Sequence, residues 1–164
     1  MSGLSMNISR LAIVAVFSTL VACSTTQEVH VAKYGPIQQI TAVSQVADAG
    51  NSTSADTHLH AALVQEGLNV KASLPQGTRR SSDVDALVSY VDVWRWDLVM
   101  YLQSLSVRIF DAQTGDLLIS GQWKDSPLHG FRNAEEIMKG LVSEMMVKLR
   151  ARSEPAKTAQ ATGN

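Results

Sequence analysis

A single cysteine among 164 residues means that no disulfide can form within the chain, so its fold must stand on an ordinary core. Aromatic residues are sparse, with three each of Phe, Tyr and Trp. Neither sign of charge prevails: 14 Lys and Arg stand against 15 Asp and Glu, a net charge of −1. Without a basic run there is no field to attract nucleic acid, which is excluded as an expected partner. The common catalytic signatures are missing too. The chain has no Gly-x-Ser-x-Gly elbow, no Ser-x-x-Lys motif, no Walker-type loop and no His-Glu-x-x-His helix. What is present, 45% hydrophobic and 18% charged residues, describes a globular domain rather than a disordered chain or a polytopic membrane protein.

The beginning of the chain reads as an address. Arg10 provides a short positive segment, and residues 11–21 form an apolar run too short to span a bilayer permanently. Leu20-Val21-Ala22-Cys23 follows and resembles the lipobox of bacterial lipoproteins, in which the cysteine is acylated. Met6 serves as well as Met1 for a start, because Met6-Asn7-Ile8-Ser9-Arg10 is itself a compact basic segment. An ordinary secretory signal or a single anchor helix with an incidental cysteine is the competing reading. With about 0.8 kcal/mol per buried methylene, several acyl chains on Cys23 would hold the protein permanently. By the same resemblance, Ser24 in place of Asp implies export to the outer membrane, with the domain on its periplasmic side. The only cofactor expected is the covalent lipid on Cys23.

Residues 1–22 are thus expected to be a signal peptide, 23–35 a polar lipidated tether, 36–152 one domain, and 153–164 a disordered tail. Within the domain, residues 37–43 read as a first strand. A helix capped by Ser54, with Asp56 in its first turn and Leu59, Ala62 and Leu63 on one stripe, ends at Gly67. A short extended segment over residues 68–73 and a polar loop lead to residues 86–96, rich in β-branched and aromatic side chains. Alternation places Tyr90, Asp92, Trp94 and Trp96 on one face, and Leu87, Ser89, Val91, Val93 and Arg95 on the other. Residues 98–110 form the next strand, with Tyr101, Leu105, Val107 and Ile109 sharing a face. A turn over residues 111–115 returns the chain through residues 117–123, where Gly121 marks a bulge or a close approach by Trp123. Pro127, His129 and Gly130 form a loop. Asn133 caps a final helix whose apolar face is Ile137, Leu141, Met145 and Leu149, joined by Met138 and Val142. The expected fold class is α+β with two layers: a mainly antiparallel sheet, two helices on one face, in the order β-α-β-β-β-β-α.

The aromatic segment around residue 94 is the most distinctive stretch. In a functional reading Asp92, Arg95 and Asp97 surround a bound partner, with Trp94 and Trp96 acting as aromatic anchors. In the plain structural reading the tryptophans finish a small core while Arg95 and Asp97 pair at a strand end. His30, His58, His60 and His129 do not suggest a metal, since His58 and His60 lie two apart on a helix and point to different faces. An odd spacing likewise sends Asp92 and Asp97 to opposite faces of a strand, so they are not paired carboxylates. No catalytic residue is expected.

The pattern Tyr90-x-x-x-Trp94-x-Trp96-Asp97-x-x-x-Tyr101-Leu102, followed by Asp111-x-x-Thr114-Gly115 and Gly121-x-Trp123, resembles a family of small proteobacterial lipoproteins. The resemblance spans about Asp56 to Arg150 and implies no reaction. The architecture is also similar to the domains of curli-secretion and TolB amino-terminal type, a likeness that carries no activity. The leading expectation is a non-enzymatic, lipid-anchored envelope domain that binds an envelope protein or assembles with itself. A small-ligand or glycan-binding lipoprotein is second, and an envelope hydrolase third.

Overall fold

Each long strand carries one apolar face and each helix one apolar stripe, and burying them together gives two layers. The computed structural model describes residues 25–32, 38–126 and 131–161, with side chains through residue 153. Residues 1–24, with Cys23, and the Pro127, His129 and Gly130 loop lie outside them. The elements are β1 (Thr26–Val31), β2 (Ala42–Gln45), α1 (Thr53–Gln65), β3 (Asn69–Val70), β4 (Ala86–Asp97), β5 (Val99–Asp111), β6 (Leu117–Lys124) and α2 (Ala134–Ala161). They form one six-stranded sheet in the order β1-β6-β5-β4-β2-β3. β2 runs parallel to both β3 and β4, and the other pairs are antiparallel, so the sheet is mixed. The two helices pack on each other and on one sheet face, and the expected α+β fold stands.

The core between the layers is built from Leu59, Leu63, Val88, Tyr90, Leu105, Val107, Ile109 and Ile119, together with Met138, Leu141 and Met145 of α2. Gly121 lets α2 come close. A Cβ at that position would lie 2.6 Å from Met145 Sδ and 2.9 Å from Leu141 Cδ1. The close approach at Gly121 is therefore that of the last helix, and not that of Trp123 as expected. A smaller apolar cluster of Val84, Leu87 and Ala112 covers one end of the opposite sheet face.

Several boundaries differ from those expected, each for a physical reason. The segment 26–31, part of the expected tether, is an edge strand paired with β6 from Thr26↔Lys124 to Val31↔Ile119. Only Val29 in it is buried, and α2 fastens it: Gln27 Nε2 donates to Glu144 (2.7 Å), and Lys148 Nζ to the Val29 carbonyl (3.2 Å). Arg152 donates to the Ala32 carbonyl. The first expected strand begins at Ala42, Ile37 lying outside the described residues, and β3 is only two residues long. The backbone of α2 runs helically to Ala161, past residue 153 where the tail was drawn.

Ser52, and not Ser54, caps α1, its Oγ accepting from the Ala55 N–H at 3.3 Å. Gly67 does end that helix, at φ +79, while the Leu68 N–H reaches back to the Leu63 carbonyl at 3.1 Å. Asn133 Oδ1 caps α2 by accepting from the Glu135 N–H at 2.8 Å. In the β5–β6 turn, Asp111 Oδ1 accepts from the N–H groups of Gln113 and Thr114, both at 2.8 Å, and Gly115 supplies φ +80.

Asp85 fastens the start of β4 to the start of β2. Its Oδ2 accepts from Thr41 Oγ1 (2.7 Å) and from the N–H groups of Thr41 and Ala42 (2.8 Å each). The Thr41 hydroxyl first, then the Ala42 and Thr41 N–H groups, hold this carboxyl below its ordinary value of 3.8. A depressed folded pKa contributes stability that is present above the unfolded value and is lost as pH falls through the folded one. Acid unfolding is therefore expected to weaken the wild type more steeply below about pH 4 than Asp85→Asn, as read by denaturant midpoints over a pH series.

Candidate functional site

β4 and β5 are longer than their neighbours. β2 accompanies β4 only from Ala86 to Val88, and β6 accompanies β5 only from Phe110 to Ser104. Past those points the two strands continue together as a ribbon that projects from the sheet. At its base the register shifts: Val93 pairs with Ser104, but Trp94 pairs with Leu102, leaving Gln103 as an extra residue. Above this bulge the faces of β5 are exchanged. Leu102, and not Tyr101, shares the core face with Leu105, Val107 and Ile109. Tyr101 turns to the far side, where its ring meets Phe131 edge-on with centroids 6.1 Å apart. The face expected for Tyr101 is thereby corrected. An unpaired inserted residue breaks period-two alternation, and the sequence carries no sign of where.

A polar cluster sits where the ribbon leaves the body. Asp92 is buried on the core face of β4, and its Oδ2 accepts from Ser52 Oγ (2.6 Å) and Trp94 Nε1 (2.5 Å). Its Oδ1 takes a longer bond from the Ser52 N–H, at 3.4 Å. Beside it, Tyr90 OH donates to Asp56 Oδ1 (2.6 Å) and lies 3.2 Å from the Ser52 carbonyl, while Gln45 Nε2 also donates to Asp56 Oδ1 (2.5 Å). Burial first, then the hydrogen bond to Asp56 and the charges of Asp56, Asp92 and Asp48, push the Tyr90 phenol well above its ordinary range. It remains a neutral donor. The cluster joins the N-terminus of α1 to β2 and β4, placing two carboxylates where the helix presents free N–H groups. Every polar side chain named in it is engaged in holding those three elements.

Of the five residues expected around a partner, Asp92 is buried and taken up by this cluster, and the other four divide between two roles. Trp94 is half-buried, packed against the core, with its indole N–H committed to Asp92. Arg95 does not use its Nε for the carboxylate of Asp97; it donates across the ribbon to Gln103 Oε1 at 3.0 Å. Trp96 shares a strand face with Trp94 but lies beyond the reach of α1, and is 71% exposed. Asp97 is exposed at the end of β4. Around it stand Leu98 (82% exposed), Val99 (51%) and Met100 (58%), which sequence reasoning left unremarked. Their signal was present as four apolar side chains in five residues at a strand end, where no core remains to receive them. Leu98 also has φ +61, a left-handed conformation that a leucine adopts at a cost of about 1–2 kcal/mol. Below the ribbon, where β4 still belongs to the body of the sheet, Val91 and Val93 face outward and are exposed.

Among the described residues, no three His, Cys, Asp or Glu side chains converge as metal ligands would. No described helix is long and apolar enough to cross a membrane.

No family model and no curated protein matches the chain in sequence. Solved structures do match it in shape. A dodecamer of a PelC point variant from Paraburkholderia phytofirmans superposes with a TM-score of 0.56 at 17% identity, over 79% of this chain and 100% of that one. A PelC dodecamer from the same organism in another crystal form gives a TM-score of 0.51 at 14% identity, over 77% of this chain and 97% of that one. At such identities the likeness is one of fold.

Proposed function

We propose that the chain is an outer-membrane lipoprotein, acylated at Cys23, whose non-catalytic periplasmic domain assembles with copies of itself or with another envelope protein. The observation that carries this reading is the projecting ribbon. Its β4 edge is open beyond Val88, and at its root Val91 and Val93 stand exposed on a sheet face that no described helix covers. An isolated two-stranded ribbon with apolar side chains on both faces gains stability from a neighbour laid against it. Two further observations support the reading: the resemblance of residues 20–23 to a lipobox, and a fold shared with a protein crystallised as dodecamers. The Asp92 cluster supports a structural role for the buried polar groups, since each is bound to a partner that fixes α1.

Sedimentation of the detergent-solubilised full chain, with crosslinking in cells, tests it. A discrete oligomer, or one crosslinked envelope partner, is expected for the wild type. Val93→Glu, an outward-facing change that leaves the core alone, is expected to weaken the association by roughly tenfold or more. A wild-type protein that stays monomeric at all concentrations and crosslinks to nothing would overturn the assembly reading. Labelling with fatty acid, expected for the wild type and lost in Cys23→Ser, tests the anchor separately.

A further inference from the structure

The register of the sheet fixes which end of the domain the anchor leaves from. Thr26 pairs with Lys124, Lys124 with Ser104, and Ser104 with Val93, so these four residues form one row across β1, β6, β5 and β4. β1 is antiparallel to β6, so the N-terminal end of β1 is the end on the side toward which β4 and β5 run on as the ribbon. Cys23 lies three residues before Thr26. Covalent geometry limits it to about 10 Å beyond the row, and to less along the ribbon direction once sheet twist is allowed for. Leu98 lies five residues beyond Val93 on the ribbon, or about 17 Å at the rise of a strand. The tip thus reaches several ångströms farther than the acylated cysteine can.

From this geometry we infer that the β4–β5 tip, Trp96 with Leu98, Val99 and Met100, enters the same lipid leaflet that holds Cys23. The inference rests on the lipidation proposed above. A cysteine whose acyl chains lie in the leaflet brings the bilayer surface to within about 10 Å of Thr26, and the tip then projects to a depth of the order of the 5–10 Å typical of interfacial insertion. The side chains suit that depth. Trp96 carries an apolar ring with one polar N–H, Leu98, Val99 and Met100 are apolar, and Arg95 is a long cation one residue below Trp96, able to reach headgroups. Asp97, between Trp96 and Leu98, is the unfavourable charge of the tip and limits insertion to the interfacial depth. The exposure of four apolar side chains and the left-handed Leu98 are unfavourable in water; insertion gives the exposed area a use.

Reconstitution of the full acylated chain into phosphatidylethanolamine–phosphatidylglycerol vesicles tests this, with nitroxide quenchers placed shallowly in the acyl chains and iodide in the water. Trp123 is buried and Trp94 is bound to Asp92, so the difference between wild type and Trp96→Phe isolates the signal of Trp96. The expected result is quenching of that signal by the lipid nitroxide and protection from iodide. Leu98→Asn keeps a residue tolerant of the left-handed turn. In a Cys23→Ser background it is expected to lower the residual vesicle affinity roughly tenfold. Quenching by iodide alone, in a chain that carries its fatty acid, would overturn the inference while leaving the anchor intact. Shielding from both quenchers would overturn it in favour of a second copy covering the tip. A wild type that takes up no fatty acid would remove the anchor reading, and the inference with it.

Discussion

Gly121→Val is expected to destabilise the domain by about 3 kcal/mol, lowering the melting temperature by roughly 10 °C. The reason lies in a single separation. A Cβ at position 121 would sit 2.6 Å from Met145 Sδ and 2.9 Å from Leu141 Cδ1, inside any tolerable contact, and valine adds two further carbons in the same direction. Met145 and Leu141 are fully buried, and moving them means lifting α2 from β6. Gly121→Ala should cost less, about 1–2 kcal/mol, because the thioether of Met145 can swing aside more readily than Leu141 can. Thermal melts of the two variants, followed by circular dichroism, check both the sign and the order. A neutral Gly121→Val would mean that α2 sits farther from the sheet than the structure has it.

The second large effect is expected at Asp92. Asp92→Ala strips the acceptor from the Ser52 hydroxyl and the Trp94 indole, leaving both donors without a carboxylate in a partly buried setting. Hydrogen bonds to a charged group are each worth about 1.5–3 kcal/mol, and the lost pair shares one site, so a total near ~3 kcal/mol is expected. The loss should also be local in character. Because Ser52 is the N-cap of α1, amide exchange in the first turn of that helix should quicken more than exchange in β5 or β6. A double-mutant cycle with Ser52→Ala should show coupling of about 1–2 kcal/mol, since each partner loses value without the other. Additive single effects would separate the cap from the carboxylate and undo this account. Either variant retains Cys23 and the ribbon tip, so neither tests the anchor.

How much of this the sequence disclosed depended on how far apart the deciding residues lie. Gly67, Asn133 and the Asp111–Gly115 turn were legible because cap and turn chemistry acts within a few residues. The alternation of β4 was read correctly as well, with Tyr90, Asp92 and Trp94 turned inward together. Ser52 and Ser54 could not be told apart locally. The choice is made by Asp92, 40 residues downstream, which accepts from the first of them. β1 was hidden for a similar reason: Thr-Gln-Glu-Val-His-Val is polar enough for a tether, and only the distant β6 edge and the cations of α2 make it a strand. The division between Trp94 and Trp96 was legible in alternation but not in cover. Both lie on one strand face, and what separates them is that Trp94 packs on the core and binds Asp92 while Trp96 is exposed. The inserted Gln103 left no mark at all, and the swap of Tyr101 for Leu102 followed from it.

The placement of β1 also determines how the domain bears a pull. A pull applied at Thr26 along β1, and resisted by the body of the domain, acts along the length of the strand. The six residue pairs from Thr26↔Lys124 to Val31↔Ile119 are then loaded in shear and must give way together, instead of parting one at a time from a free end. The cross-ties from Glu144, Lys148 and Arg152 join the same load path and pass it into α2. A polar edge strand with one buried valine is thereby a mechanically strong attachment.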